Sequence, residues 1–291
     1  GGFYRTGEGG RDIGFNGFDG GQIKANITKE FDSGYIRFSG KYLNDRTPTI
    51  LPMPVQVTGS NASPNYRGIA GFDPRRDALY SPFITQAVTL DGSNNPTSSN
   101  INDGLSVRSA AFGVEAQFDI GAGWQVTNRF RFADNSGSFT SPFPAEAGAA
   151  QAIADGLGGA GSTIRFASGP NAGALANPAT IGGNGLLTNV VMFNVRLNSL
   201  DNITNDFRIS NDFDLGGARL AFTSGFYASR QTIDTDWLWT SQVQTVEGGG
   251  RAVLVDRGFV PQHLRDPAAR PDGQSAGPVA IEGVLRPPSP A

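Results

Sequence analysis

Two stretches of the chain have the spacing of catalytic or cofactor motifs. Gly156-Leu157-Gly158-Gly159-Ala160-Gly161 matches the glycine pattern of a dinucleotide fingerprint, which needs a strand before it and a helix after it so that the phosphates meet a helix N-terminus. Here a helix-like run, 145–155, precedes the glycines and the strand-like Ser162-Thr163-Ile164-Arg165-Phe166 follows them. The order is reversed, and the run reads as a flexible glycine-rich loop. Gly273-Gln274-Ser275-Ala276-Gly277 has nucleophile-elbow spacing, but it lies in a proline-rich tail with no strand to hold the serine. The chain has one histidine, His263, and no cysteine, too few for a catalytic triad or a soft-metal site. The reading is of a protein without catalysis, cofactor or metal.

The elements around these motifs are β-strands. Three copies of one phrase, Phe31-Asp32-Ser33-Gly34, Phe118-Asp119-Ile120-Gly121 and Phe213-Asp214-Leu215-Gly216, each sit between runs of alternating apolar and polar residues. That is where a tight hairpin turn belongs, because Asp and Gly tolerate the backbone angles such turns require. Around the first copy, Ile23, Ala25, Ile27 and Phe31 share a face, as do Ile36, Phe38, Gly40 and Tyr42 beyond it. Around the second these are Ala110, Phe112, Val114, Ala116 and Phe118, then Trp124, Val126, Phe130 and Phe132. Around the third they are Ile203, Phe207, Ile209 and Phe213, then Leu220, Phe222, Phe226 and Ala228. Lys29, Asn128, Asn205 and Asn211 interrupt the apolar faces. Between hairpins lie long stretches, 44–104 and 133–201, read as irregular: the first carries seven prolines from Pro48 to Pro96, the second is rich in glycine and alanine with a short helix over 145–155.

A net charge of -3 gives no electrostatic reason to expect a nucleic-acid partner, and 40 glycines with 20 phenylalanines and no cysteine fit many turns and strands without disulfides. No run is apolar enough for a membrane-spanning helix, so any bilayer crossing must be a barrel. The opening Gly1-Gly2-Phe3-Tyr4-Arg5 lacks an initiator Met and a leader pattern, and the chain is read as a fragment. A soluble sandwich shares the period of two. Three features favour a membrane barrel instead. The polar faces are ionic, carrying Lys24, Glu30, Arg37, Lys41, Arg129, Arg131, Asp206, Arg208 and Asp212. The strands match the roughly 9 to 11 residues of a tilted crossing. Short turns at one end alternate with long loops at the other, and the aromatics Phe31, Phe118, Trp124 and Phe213 recur at one level beside those turns, as in an interfacial girdle.

The run from Gly1-Gly2-Phe3-Tyr4-Arg5 through Arg11-Asp12-Ile13-Gly14-Phe15, Gly20-Gly21-Gln22-Ile23 and Tyr42-Leu43-Asn44-Asp45-Arg46 to Pro52-Met53-Pro54 resembles the start of the barrel in TonB-dependent outer-membrane receptors. Asn205-Asp206-Phe207-Arg208-Ile209-Ser210, Gly225-Phe226-Tyr227 and Asp236-Trp237-Leu238-Trp239 are similar to later strands of that family. The resemblance covers residues 1–260, with 261–291 left as a Pro- and Arg-rich tail, disordered or outside the natural fold. It implies an all-β, antiparallel transmembrane β-barrel fragment, about six to eight strands of a larger barrel of about 22, with short periplasmic turns and long extracellular loops. It further implies uptake of a scarce nutrient, of the ferric siderophore, cobalamin or oligosaccharide class, across the outer membrane of a Gram-negative cell. The partners would be outer-membrane lipid, a small-molecule or iron-chelate ligand, and the TonB complex acting through a plug that this sequence lacks. A passive porin-like barrel and a secreted β-rich adhesion or binding module are the alternatives.

In a receptor of this kind ligand recognition falls to the long loops and upper lumen. Arg67, Arg75, Arg76, Tyr80 and Phe83 in the first loop, and Trp237 and Trp239 beyond the sixth strand, offer cationic and aromatic surfaces for an anionic or aromatic ligand. Against this, solvated arginines are common, and tryptophans more often belong to the outer aromatic belt. The lumen charges Arg37, Lys41, Glu30, Arg129 and Arg131 are expected to meet the plug or one another.

Overall fold

A computed structural model describes residues 1–50, 53–250 and 252–256. The tail from 261, His263 and the 273–277 motif lie outside the described residues, as does Pro52 of the Pro52-Met53-Pro54 run. The fold is mostly antiparallel β. In chain order the strands are β1 (Gly2–Gly7), β2 (Phe18–Phe31), β3 (Gly34–Thr47), β4 (Gln56–Ser60), β5 (Ser63–Arg67), β6 (Gln86–Leu90), β7 (Pro96–Asn100), β8 (Leu105–Gly121) and β9 (Trp124–Ala149). The helix α1 (Ala150–Gly158) is followed by β10 (Thr163–Phe166), β11 (Leu186–Ser199), β12 (Asn202–Asp214), β13 (Arg219–Gln231), β14 (Asp234–Thr245) and β15 (Ala252–Asp256). The main sheet runs β1-β2-β3-β8-β9-β11-β14-β15-β10, with β12 pairing β9 and β13. The order is open: among the described residues no pairing joins β1 to β10. Among the described residues no helix is long and apolar enough to cross a membrane.

The chain divides into two compact units: Gly1–Leu51, Thr85–Pro142 and Met192–Thr240 form the first, and Pro52–Ile84, Phe143–Val191 and Ser241–Ala291 the second. In the first unit the three expected hairpins form, and their turns differ in detail. β2 passes to β3 through Asp32 and Ser33, with Phe31 facing Gly34. That glycine is required by a neighbour, since a Cβ on Gly34 would run into the carbonyl oxygen of Gln117 on β8. The second phrase does not itself reverse the chain. Phe118 to Gly121 lies within β8, the register shifts between Asp119 and Gly121, and Ala122 and Gly123 make the turn. Their φ values of 50° and 79° suit a two-residue turn of the type that matches strand twist. The third reversal spans Leu215 to Ala218, closed by Leu215 N donating to Ala218 O at 2.9 Å and by Gly216 N donating to Asp214 Oδ1 at 2.9 Å.

The stretches read as irregular hold more strand than expected. β3 continues to Thr47 and β9 runs for 26 residues to Ala149. The upper part of β9 lacks alternation, yet β8 pairs with it as far as Leu105 facing Phe139, so neighbours supply the ladder that the local pattern does not announce. The helix consequently starts at Ala150 rather than 145. Pro64 and Pro96 lie inside β5 and β7, which form two-stranded hairpins with β4 and β6, where an edge without ladder partners tolerates proline.

Two residues outside the strands separate β11 from β12. β11 leads into β12 through Leu200 and Asp201, and Asn135 on β9 holds both of these residues: Leu200 N donates to Asn135 O at 2.8 Å, Asn135 Nδ2 donates to Leu200 O at 2.9 Å, and Asn135 N donates to Asp201 Oδ1 at 2.9 Å. Asn135 Oδ1 also accepts Ser109 Oγ at 2.7 Å.

The second unit has its own core. Ala150, Ile153 and Ala154 on one stripe of α1 pack with Ile164 of β10, Ile181, Leu187 of β11 and Val253 of β15, the i, i+3, i+4 spacing of an amphipathic helix. Asn184 ties three segments of this unit together. Its Nδ2 donates to Ala70 O at 2.7 Å and to Val246 O at 2.6 Å, while its Oδ1 accepts Leu186 N at 2.9 Å.

Candidate functional site

Strand alternation gives the sheet of the first unit two chemically opposite faces. One is an apolar band of cross-strand rows: Ala25, Gly40, Phe112, Phe132 and Ile203; Ile27, Phe38, Val114, Phe130, Asn205 and Ala228; Ile36, Ala116, Asn128, Phe207 and Phe226. The row nearest the turns holds Phe31, Gly34, Phe118, Val126 and Ile209. Large apolar side chains on this face are exposed, among them Ile27 at 70%, Phe38 at 44% and Phe226 at 59%. An apolar face this broad and open to its surroundings marks an interaction surface. The aromatics beside the turns meet as expected: Phe31 and Phe118 lie 5.7 Å apart between ring centroids, and Trp124 sits edge-on to Phe213 at 5.8 Å and to Phe222 at 5.9 Å. Of the residues that interrupt the band, Asn211 is buried and donates from Nδ2 to Ala122 O at 3.0 Å, fastening the turn. Lys29 places Nζ 5.9 Å from the Phe31 ring centroid.

The opposite face carries charge in alternating sign. One row reads Thr28, Arg37, Glu115, Arg129, Asp206 and Tyr227 across successive strands, the arrangement in which facing opposite charges stabilise a sheet. Glu115 Oε1 accepts Tyr35 OH at 2.7 Å and lies 3.5 Å from Arg129 Nη2. Arg37 Nε donates to Thr28 Oγ1 at 3.0 Å, and Arg208 grips Asp206 through two bonds of 2.9 and 2.8 Å. So Arg37 and Arg129 are engaged within the sheet. Lys41 stands opposite Lys24 instead, and neither has an ion-pair partner among the described residues. Arg131 Nη1 reaches Asn202 Oδ1 at 3.5 Å.

The seven ligand candidates divide between the units. In the second, Arg67 is exposed at the end of β5 opposite Gln56. Arg75 is exposed but folds back on Asp73, donating from Nε and Nη2 at 3.1 Å each and from its backbone N at 2.9 Å. That side chain, and then that N–H, hold the Asp73 carboxyl below its usual range, and the hydrogen bond to Asp73, with its charge, raises the Arg75 guanidinium in turn. Arg76 is exposed, and its backbone N donates to Asp73 O at 2.9 Å. Tyr80 has no exposed surface. Leu79, Ser81 and Ile84 are buried around it in sequence, and Ser81 Oγ donates to Gly250 O at 2.6 Å. Tyr80 is therefore a packing residue and cannot offer its ring to a ligand. Phe83 is 40% exposed. In the first unit, Trp237 and Trp239 share one face of β14 and are 63% and 58% exposed, with Trp239 edge-on to Phe193 at 4.9 Å.

The 156–161 glycines end α1 and lead into β10, helix before strand. Asp155 Oδ1 accepts Gly161 N at 3.0 Å and Ser162 N at 3.2 Å. A carboxylate already occupies the amides that a phosphate would need. Among the described residues no group of three or more His, Cys, Asp or Glu side chains is placed to hold a metal ion.

With this geometry in hand, the chain was compared with protein families, curated proteins and solved structures, and no family model, curated protein or solved structure matches it.

Proposed function

We propose that the chain forms part of the wall of an outer-membrane β-barrel receptor of the TonB-dependent kind, taking up a scarce nutrient. The observation that carries this is the two-faced sheet. The apolar band spans Ile23 to Phe31 on β2, about nine residues, which at ~3.3 Å per residue and a tilt near 40° covers roughly the 25 Å height of a lipid-facing band. Aromatic rings cluster at its turn end, where interfacial girdles lie. The charged face behind it, with its alternating rows, suits a wet lumen.

In this orientation the short turns face the periplasm, and the long connections, 44–104 and 133–201, run outside the cell. A loop region with its own hydrophobic core supports a receptor over a plain pore, because a folded surface can hold a recognition site rigid. Energy coupling through the TonB complex and a plug belongs to the same proposal. Expressed with a leader in a Gram-negative host, the full-length protein should sediment with outer membranes and migrate faster in a semi-native gel before heating than after. Recovery as a soluble, heat-insensitive species would overturn the reading.

A further inference from the structure

Among the described residues β4 and β5 pair only with each other, and every residue in both strands is exposed. A two-stranded hairpin without further strands is marginal in water, so another strand added to its edge would stabilise it.

The two edges of this hairpin differ. Ser60 faces Ser63 across the turn at Asn61 and Ala62, and across so tight a turn the facing residues must exchange backbone hydrogen bonds. Bonded and non-bonded pairs alternate along an antiparallel ladder. Thr58 and Asn65 therefore exchange bonds too, whereas Gly59 with Pro64 and Val57 with Tyr66 turn their backbone groups outward. Pro64 has no N–H to present there, and Arg67 charges the end of β5. These are devices by which natural sheets blunt an edge. The β4 edge carries neither: Gln56-Val57-Thr58-Gly59-Ser60 has no charge and no proline. Its outward groups are those of Val57 and, two residues back, Val55. Val55, Val57 and Tyr66 are exposed and share one face of the hairpin.

We propose that β4 pairs with β4 of a second copy of this chain, antiparallel about a two-fold axis at Gln56. In that register Val55 of each copy exchanges backbone bonds with Val57 of the other, and the two Gln56 residues meet as the central non-bonded pair. The pairing stops short of Gly59, whose φ of 95° departs from extended geometry. The valines of both copies form one apolar patch flanked by the Tyr66 rings, and no like charges face each other. An open edge alone would accept many strands; closure is what selects a second copy. The two-fold pair consumes both β4 edges and leaves a sheet ordered β5-β4-β4-β5, blunted by Pro64 and Arg67 on each side, so assembly ends at the dimer. The proposal goes beyond the receptor reading and does not rest on it, because the same edge is open in or out of a membrane.

The chain contains no cysteine, so single introduced cysteines report the interface. Facing Cα atoms of a non-bonded antiparallel pair lie about 4.5 Å apart, within reach of a disulfide. In the full chain, purified in detergent micelles, Gln56→Cys should give a disulfide-linked dimer under mild oxidation, and Asn65→Cys, equally exposed on β5, should not. Sedimentation of the wild type over about two decades of concentration should show a monomer–dimer equilibrium. Val57→Pro removes an outward N–H that the hairpin itself does not use, and should raise the dissociation constant about tenfold or more. Hydrogen exchange at the Thr58 and Asn65 amides checks that the hairpin persists in that variant. A wild type that stays monomeric, equal cross-linking through Asn65→Cys, an unchanged dimer in Val57→Pro, or growth beyond the dimer overturns the proposal. A dimer cross-linked through Gln56→Cys in a protein that fails to enter outer membranes would overturn the receptor reading and leave this one standing.

Discussion

At the scale of single residues, two positions carry more than their types announce. Ala122 holds φ of 50° in the second turn, a conformation that costs an L-residue with a Cβ roughly 1 kcal/mol and glycine nothing. Ala122→Gly should therefore stabilise the hairpin by a few tenths to about 1 kcal/mol, read as a higher unfolding midpoint in denaturant; an unchanged or lower midpoint would show that the turn is not strained. Asn184 bonds Ala70 O, Val246 O and Leu186 N. Replacing it with Leu strands these groups and should cost about 1–3 kcal/mol, with hydrogen exchange rising around 69–72 and 245–248 while the hairpins of the first unit stay protected. Neither role was readable in advance. Ala122 lies one residue past the sequence phrase because the bulge near Ile120 delays the turn, and the partners of Asn184 are distant in the chain.

At the scale of elements, the two faces of the hairpins were legible because alternation is local. The residues that broke it were legible only as exceptions, and Asn211 shows why: its amide serves the neighbouring turn at Ala122. A paired substitution separates the faces. Phe130→Lys in the middle of the apolar band should cost roughly 2–4 kcal/mol in a bilayer, whereas Thr127→Lys on the charged face should change little; equal effects in lipid refolding would contradict a lipid-facing band. The β6–β7 hairpin offers a pH test. Its Asp91 accepts Asn95 N at 2.9 Å and Ser93 N at 2.8 Å, and these bonds lower its carboxyl below the usual 3.8. A depressed folded value means that the turn's stabilisation is complete above the unfolded pKa and is lost as pH falls through the lower, folded one. Exchange at the Ser93 and Asn95 amides should quicken only in that acid range, and Asp91→Asn should remove the dependence.

At the scale of the molecule, the three hairpins of the first unit followed from the sequence, whereas its strands within 85–100, 133–142 and 192–199 and the whole second unit did not. A core of Ile153, Ile164, Leu187 and Val253 is assembled from segments that alternate in no shared pattern, so nothing local marks it. The same holds for the ligand candidates: composition put Tyr80 among them, and packing removed it. The hold of Asn135 on Leu200 and Asp201 bears on how such long strands find their alignment. Sliding one strand past another by two residues keeps every side chain on its proper face, so the apolar and charged faces alone cannot reject that error. Asn135 can, because its backbone and side chain together meet two consecutive residues that only one alignment brings to it. It works as a detent: removing it with Asn135→Ala should leave the faces intact while admitting strands displaced by a whole two-residue step.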